Sequence, residues 1–448
     1  MKPPSSSAPP IVRNQPGGAW DRTVLAAIWL LLAVWICFGI SRNLLDFLLG
    51  LVQQHGWRSH ALGPGLLWLY MAAAMLAVRT FLWVRYAPVA SARLEDAPTM
   101  TVLIPAYNEG AMVARSIDSC AVANYPKDQL EILVIDDGSS DDTWQHICNA
   151  ANRHPQLVKT IRFAANQGKR AALAVGFERA KGEVVVTVDS DSLIDRGALL
   201  AIAAPFRDQR VGAVAGKVVV FNRFAGVLPR MLHIQFALSF DFLRSAQSVY
   251  RTVYCCPGAL SAYRATALRR ILPHWREQTF LGVPCTIGED RALTNDVLAA
   301  GFDTVYQRNA VVETVVPHTY KKLCRMLLRW DRSHIREELR MAKLLWRRPL
   351  ISRLLTLVDL LLTNLRYPIA YAALAITVGL VLHNPWWLVR VVEAIGTVSL
   401  FYALYYLRSD RSWEFVYGVL YAYFSSFALL WIFPYALLTV RNRAWLTR

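Results

Sequence analysis

Between residues 100 and 220 short β-branched runs alternate with stretches of helical period. MTVLIP (100–105) precedes a helical pattern through Cys120, EILVID (131–136) one from Asp141, VKTIRF (158–163) one from Lys169, and EVVVTVD (183–189) one from Arg196. Such alternation predicts a mostly parallel sheet covered by helices, with ligands at the carboxyl ends of its strands. Longer apolar blocks flank it, at 23–51, 62–84, 351–382, 386–407 and 413–440. Each meets the roughly 20 residues needed to cross a bilayer. The first is too long for a cleavable signal peptide, and no small-residue cleavage site follows it. The pattern predicts a Pro/Ser/Gly-rich disordered tail over 1–20, two transmembrane helices within 21–85 and a soluble α/β domain over 86–319. An amphipathic helix over 320–350, transmembrane helices within 351–440 and a terminal segment over 441–448 complete it.

Composition agrees with a membrane protein: 55% of the 448 residues are hydrophobic, high for a soluble chain. The formal net charge of +17 could indicate nucleic acid. The basic residues, however, gather beside the apolar blocks, at Arg79, Arg85, Arg93 and from Arg340 to Arg348. There the positive-inside rule puts them on the cytoplasmic side. The expectation is an integral membrane protein with a cytoplasmic α/β domain and no nucleic-acid partner. Seven cysteines, an odd number without metal-ligand spacing, suit a reducing compartment. No obligate protein partner is inferred.

The polar clusters fall at the predicted strand ends. Pro105, Tyr107, Asn108 and Glu109 follow the first strand; Asp136, Asp137, Gly138 and Ser139 close the second; Asp189, Ser190 and Asp191 close the fourth. Aspartates and serines also cap helices and make turns, so any one cluster is unremarkable by itself. Three on one edge bring like charges together, which a cation or hydrogen-bond donors must neutralise. Two acids one residue apart, Asp189 and Asp191, can hold Mg²⁺ or Mn²⁺, whose shell is normally completed by substrate phosphates. Lys169 and Arg170 open a helix, where the macrodipole disfavours cations by a few tenths to about 1 kcal/mol. A bound phosphate would offset that cost. Downstream, basic residues at 325, 329, 332, 336, 340, 343 and 347 share one helical face, which suits a membrane interface with cations toward headgroups or the nucleotide. LPRMLHIQFALSFDFL (228–243) reads as a second such helix.

The sequence from about residue 100 to its end resembles the family-2 glycosyltransferases, and within them the hyaluronan synthases and rhizobial chitin-oligosaccharide synthases. The resemblance rests on P-A-Y-N-E, V-I-D-D-G-S, N-x-G-K-R, V-D-S-D-S, C-P-G-A-L-S-A-Y-R (256–264), G-E-D-R-A-L-T-N (288–295) and L-L-R-W (327–330), in this order and spacing. It implies an α/β GT-A fold, Rossmann-like with a mostly parallel sheet, set between N- and C-terminal transmembrane helices. It also implies a UDP-sugar donor and a divalent metal. By similarity Asp136 and Asp137 lie at the uridine, and Tyr107 and Glu109 line the base pocket. Asp189 and Asp191 are the metal-proximal acids, Lys169, Arg170 and Arg291 lie toward the donor, and Asp290 is the general base with Glu289 beside it. Arg329 supplies a cation for the leaving diphosphate and Trp330 an aromatic platform for the acceptor sugar. Trp445 and Arg448 resemble a gating segment over the active site. Met326 stands where the family usually has glutamine, and Ala259 where hyaluronan synthases carry proline.

The function implied is a membrane-embedded, inverting, processive transferase that polymerises sugar from UDP-GlcNAc into a hyaluronan- or chitin-type chain and passes the growing polysaccharide across the membrane. Two other readings of the residues stay open: single transfer to a lipid phosphate, and a non-catalytic transporter or scaffold with a nucleotide-binding domain. Counting the C-terminal blocks as three spans puts Arg441 and Arg443 outside, against the positive-inside trend. Even crossing requires a break near Tyr367 and Pro368, or around Ser425 and Pro434.

Overall fold

A computed structural model describes residues 73–410 and 412–442, together with isolated helical positions at 22, 23, 26, 27, 29, 30, 33 and 71. The apolar block at 23–51, and the gating-type residues Trp445 and Arg448, lie wholly or mostly outside the described residues. By internal contacts the chain divides into two compact units. One joins residues 78–365 to 427–448; the other joins 1–77 to 366–426.

The larger unit holds the α/β domain. Its first strands and helices run β1 (Met100–Ala106), α1 (Met112–Ala121), β2 (Leu130–Asp136), α2 (Thr143–Arg153), β3 (Val158–Arg162), α3 (Lys169–Arg179) and β4 (Val184–Thr187). After them come β5 (Ser192–Ile194), α4 (Ala198–Ala203), β6 (Val211–Val220), α5 (Val227–Phe236), a π-helical stretch (Ala237–Leu243), α6 (Arg244–Val249), β7 (Ser261–Arg264) and α7 (Ala265–Arg276). A small hairpin, β8 (Thr279–Phe280) and β9 (Val283–Pro284), leads to α8 (Glu289–Ala299), β10 (Asp303–Thr314) and the long α9 (Tyr320–Leu344).

The sheet order is β3-β2-β1-β4-β7-β6-β10-β5. The first four strands are mutually parallel, as the alternation predicts. Every residue of β1 is buried, and a strand covered on both faces reads as one continuous apolar run. Beyond β4 the order turns mixed: β7 is antiparallel to both neighbours, β6 and β10 are parallel, and β5 closes the edge antiparallel to β10. The reversal at β7 positions the site. Ser261, where β7 begins, pairs with Thr187, where β4 ends, so the 256–259 loop enters at the rim that carries Asp189 and Asp191.

Helices α3, α7 and α8 pack on the sheet around one core that includes Leu103, Ile135, Leu173, Phe177, Tyr263, Trp275 and Leu293. Helix α9 starts under a side-chain cap, Thr319 Oγ1 accepting from the Lys322 amide at 3.4 Å.

The expected outward basic stripe on α9 is corrected here. Arg332 and Arg336 are buried. Arg336 donates to the Ile287 carbonyl (2.5 Å) and to Glu337 (3.0 Å), and Arg340 bridges Asp296 (2.6 Å) and Glu337 (2.8 Å). Glu337, fully buried, also accepts from Gln278 (2.7 Å) and Asn295 (2.9 Å). The middle of the stripe is therefore packed inside the domain, where Asp296 of α8 and Glu337 of α9 itself offset its desolvation, while Arg325, Lys343 and Arg347 stay exposed.

Four more helices follow: α10 (Leu350–His383), α11 (Trp387–Ser409), α12 (Phe415–Ala428) and α13 (Ile432–Leu438). Among the described residues α10, and 387–408 of α11, are long and apolar enough to cross a bilayer, and α12 with α13 makes a third candidate bent by 49°. Helix α10 runs through Pro368 without ending. The interruption lies at 429–431, between Ser425 and Pro434. In the smaller unit the Tyr423 hydroxyl donates to the Val392 carbonyl at 2.9 Å.

Candidate active site

The carboxyl ends of β1, β2 and β4 and the start of β7 form one rim. After β1, the backbone turns through Asn108 in the left-handed region (φ 53°). The amides of Glu109 and Gly110 then donate to Thr143 Oγ1 at 2.8 and 2.9 Å. Glu109 accepts from Ser190 Oγ at 2.9 Å, which ties the β1 loop to the β4 loop. Tyr107 is half-buried beside it. At the end of β2, Asp136 is fully buried: Oδ1 accepts from the Ser139 amide (3.1 Å) and Oδ2 lies 3.2 Å from Arg162 Nε. Asp137 is spent on the chain itself. It accepts from the amides of Gln167 (2.8 Å) and Gly168 (2.9 Å) and from Asn166 Nδ2 (3.1 Å), and so holds the loop that launches Lys169.

Lys169 stands at the centre. Its Nζ lies 2.5 Å from Asp189 and 3.2 Å from Glu289. Burial opposes its charge, but the carboxylates of Asp189 and then Glu289 outweigh it and raise its pKa above the usual lysine range. Gly258 passes directly over this pair: a Cβ there would come 2.8 Å from Lys169 Nζ and 3.2 Å from Asp189 Oδ1. Asp191 lies deeper, 3.3 Å from Ser192 Oγ and 3.4 Å from Thr314 Oγ1. Burial, and next the charge of Asp189, push its carboxyl up to about 6.

Among the described residues no group of three or more His, Cys, Asp or Glu side chains could by itself hold a metal ion. The Asp189–Asp191 pair nevertheless fits a hard divalent ion that takes its other ligands from a substrate diphosphate. An acid pair whose inner member resists ionising is what such a cation would relieve.

Helix α8 brings two more acids. Burial would raise Glu289, but Lys169 and then Arg329 hold its carboxyl below the ordinary range. Asp290 is shifted upward, by burial first and Glu289's charge second. Its Oδ1 accepts from the Arg291 amide at 2.7 Å and its Oδ2 lies 3.6 Å from Cys255 Sγ. Trp330, one residue after Arg329 on α9, packs against Phe236 with ring centroids 6.2 Å apart.

The site thus unites Asp189, Lys169, Glu289 and Asp290, with Arg329 near enough to act on Glu289. It does not include two of the expected cations. Arg170 turns into the core, donating to the Trp275 carbonyl (2.7 Å) and Gln278 (3.1 Å) with its guanidinium 4.8 Å from the Trp275 ring centroid. Arg291 pairs with Glu338 at 3.0 Å. Sequence reasoning gave no individual role to Ser190, Thr143 or Gly258. Ser190 sits between the two acids, and Gly258 in a loop whose approach depends on the antiparallel entry of β7.

A profile described as Glycosyl transferase family 2 matches residues 101–272. The N-acetylglucosaminyltransferase of Azorhizobium caulinodans is 30% identical over 352 residues, 78% of this chain and 87% of that one. A hyaluronan synthase of Streptococcus pyogenes is 31% identical over 359 residues, 78% and 83% of the two chains. In fold, the chain is similar to a mannosyltransferase from Pyrobaculum calidifontis, solved with GDP-Man and Mn²⁺, with a TM-score of 0.58 and 21% identity over 80% of this chain and 98% of that one.

Proposed function

Because the chain belongs to glycosyl transferase family 2, we propose that it is a membrane-embedded, inverting, processive synthase. It would polymerise sugar from UDP-GlcNAc into a β-linked chain and pass that chain across the membrane, its α/β unit lying in the cytoplasm. The observation that carries this reading is Lys169 held between Asp189 and Glu289, with Asp290 next on the same helix turn. One constellation then contains both halves of a displacement at an anomeric carbon.

Asp290 would take the proton of the acceptor hydroxyl as its oxygen bonds to that carbon, while the bond to the diphosphate breaks on the opposite face. A carboxylate whose proton affinity is raised by burial is the better base for such a step. Lys169 and Arg329 would meet the charge that develops on the departing UDP. In this proposal Lys169 exchanges Asp189 for phosphate oxygens, and Asp189 and Asp191 are then left to hold Mg²⁺ or Mn²⁺, which would neutralise the diphosphate. Asp136 and the β1 loop with Tyr107 and Glu109 are assigned to the nucleoside, and Trp330 to the acceptor ring. Segment 441–448 is assigned to gating.

The donor is supported by the two relatives named above, one of them an N-acetylglucosaminyltransferase. Purified protein supplied with each UDP-sugar singly and in pairs, with products digested by chitinase or hyaluronidase, tests it. Polymer from UDP-GlcNAc alone that chitinase cleaves, or polymer needing UDP-glucuronate as well that hyaluronidase cleaves, supports the reading. No transfer from UDP-GlcNAc under either condition contradicts it.

A further inference from the structure

A run of contacts that reaches Asp290 begins on another helix. Helices α5 and α6 are joined through the π-helical stretch Ala237–Leu243, an irregularity that tends to occur where function needs a side chain re-aimed. At its exit stands Arg244. Its Nε donates to the Cys255 carbonyl at 3.0 Å, its Nη1 to the Ser239 carbonyl at 3.2 Å, and its guanidinium lies 4.0 Å from the centroid of the Phe240 ring. The far side of the same Cys255–Cys256 peptide is clamped as well. The Cys256 amide donates to Thr294 Oγ1 (2.9 Å), and that hydroxyl donates to the Asp290 carbonyl (2.8 Å). With one peptide fixed at its C=O by Arg244 and at its N–H by α8, the Cys255 side chain has little freedom. Its Sγ meets Asp290 Oδ2 at 3.6 Å, while Oδ1 is already taken by the Arg291 amide.

We propose that Arg244 is a positioning residue for the transfer reaction: through the Cys255–Cys256 peptide it holds the Cys255 thiol as a hydrogen-bond donor on the Asp290 oxygen that faces the acceptor. This rests on Asp290 being the base. The thiol is suited to the task, because burial and then the charge of Asp290 keep it protonated. The same guanidinium is continuous with an aromatic row, Phe240 to Phe236 (4.9 Å between centroids) to Trp330 (6.2 Å). The orientation of the base and the place of the proposed acceptor platform are thereby set by one side chain. The charges facing Asp290 are Glu289 on its own helix, Lys169 on α3 and Asp189 after β4; Arg244 and Arg291 face the thiol.

The test uses the full-length purified protein with Arg244→Gln, Arg244→Lys, Cys255→Ala and Cys255→Ser, following transfer and UDP binding separately. Arg244→Gln and Cys255→Ala should lower kcat between about ten- and a hundredfold, the scale of a misplaced catalytic group, with the donor KM and UDP affinity within about twofold of the parent. Cys255→Ser keeps a donor at Asp290 and should recover most of the loss; Arg244→Lys should recover part. Removing a donor from a carboxylate favours its protonated form, so the acidic limb of kcat/KM should move to higher pH in Cys255→Ala and not in Cys255→Ser. Equal kcat and equal profiles for Cys255→Ala and the parent overturn the proposal, whether or not the Arg244 variants fold. Should Asp290→Asn itself retain transfer, the assignment of the base fails instead, and the two failures are told apart.

Discussion

Lys169 and Arg170 are neighbours of the same charge, and their fates differ entirely. The loop held by Asp137 delivers Lys169 between two carboxylates, while one residue further along the helix Arg170 points into the core against Trp275. From sequence both were cations at a helix start. The turn that separates them depends on where α7 packs, which no local pattern states. Lys169→Met should lower kcat about 10²- to 10³-fold, the scale of losing one preorganised charge at a leaving group, as read by radiolabel transfer at saturating donor. A second charge cluster bears on pH. Asp241 is buried with Lys217 at 3.6 Å and Arg308 at 2.7 Å. Burial would raise its carboxyl, but Lys217 and then Arg308 hold it far below the carboxylate range. A depressed folded-state pKa contributes stability above the unfolded value of about 3.9, and that contribution is lost as pH falls through the folded value. Asp241→Asn should therefore cost about 1–3 kcal/mol at neutral pH, the cost of removing the partner of two half-buried cations. The gap to the parent in thermal unfolding should narrow as pH falls below about 4. A constant gap from pH 7 to pH 3 would contradict this.

The four parallel strands and their helices are legible in the sequence, since each buried strand is a continuous β-branched run and each helix has its own period. Strands β5, β6, β7 and β10 are not, because their mixed pairing joins residues such as Thr187 and Ser261 that are distant in sequence. The basic stripe of α9 misleads for a related reason: the partners of its buried middle, Asp296 on α8 for Arg340 and the Ile287 carbonyl for Arg336, lie some forty to fifty residues away. The seam between α8 and α9 closes at Gly288, whose φ of +71° and missing side chain are both required. A Cβ there would stand 2.1 Å from Ser333 Oγ and 2.4 Å from Ser333 Cβ. Gly288→Ala should cost about 1–3 kcal/mol in backbone strain alone and reduce transfer, because Glu289 and Asp290 follow directly. Ser333→Gly in the same chain removes the steric part and should recover some of the loss in thermal midpoint; no recovery would place the cost entirely in the backbone.

For the whole molecule the open question in the sequence was the parity of membrane crossings. The broken pair α12–α13 supports an even count. The Tyr320 hydroxyl, at the start of α9, donates to the Ala428 carbonyl at 2.8 Å, and Arg332, about 18 Å further along that helix, donates to Thr439 Oγ1 at 2.9 Å. Residues 428–439 thus run along α9 instead of leaving it. A C-terminal reporter fusion should accordingly score as cytoplasmic; an external score would make the pair a full span. The long apolar helices α10 and α11 were legible because crossing a bilayer demands a minimum length and an apolar composition, whereas the break at 429–431 depends on contacts with α9. The central claim is that acids and cations at one rim of the sheet transfer a sugar with Asp290 as base, and one paired measurement tests it most directly. Asp290→Asn in the full-length protein, assayed for transfer from UDP-GlcNAc with Mn²⁺ and by calorimetry for UDP, should lose about 10²- to 10⁴-fold in kcat while binding UDP as the parent does. Transfer at the parental rate would contradict it.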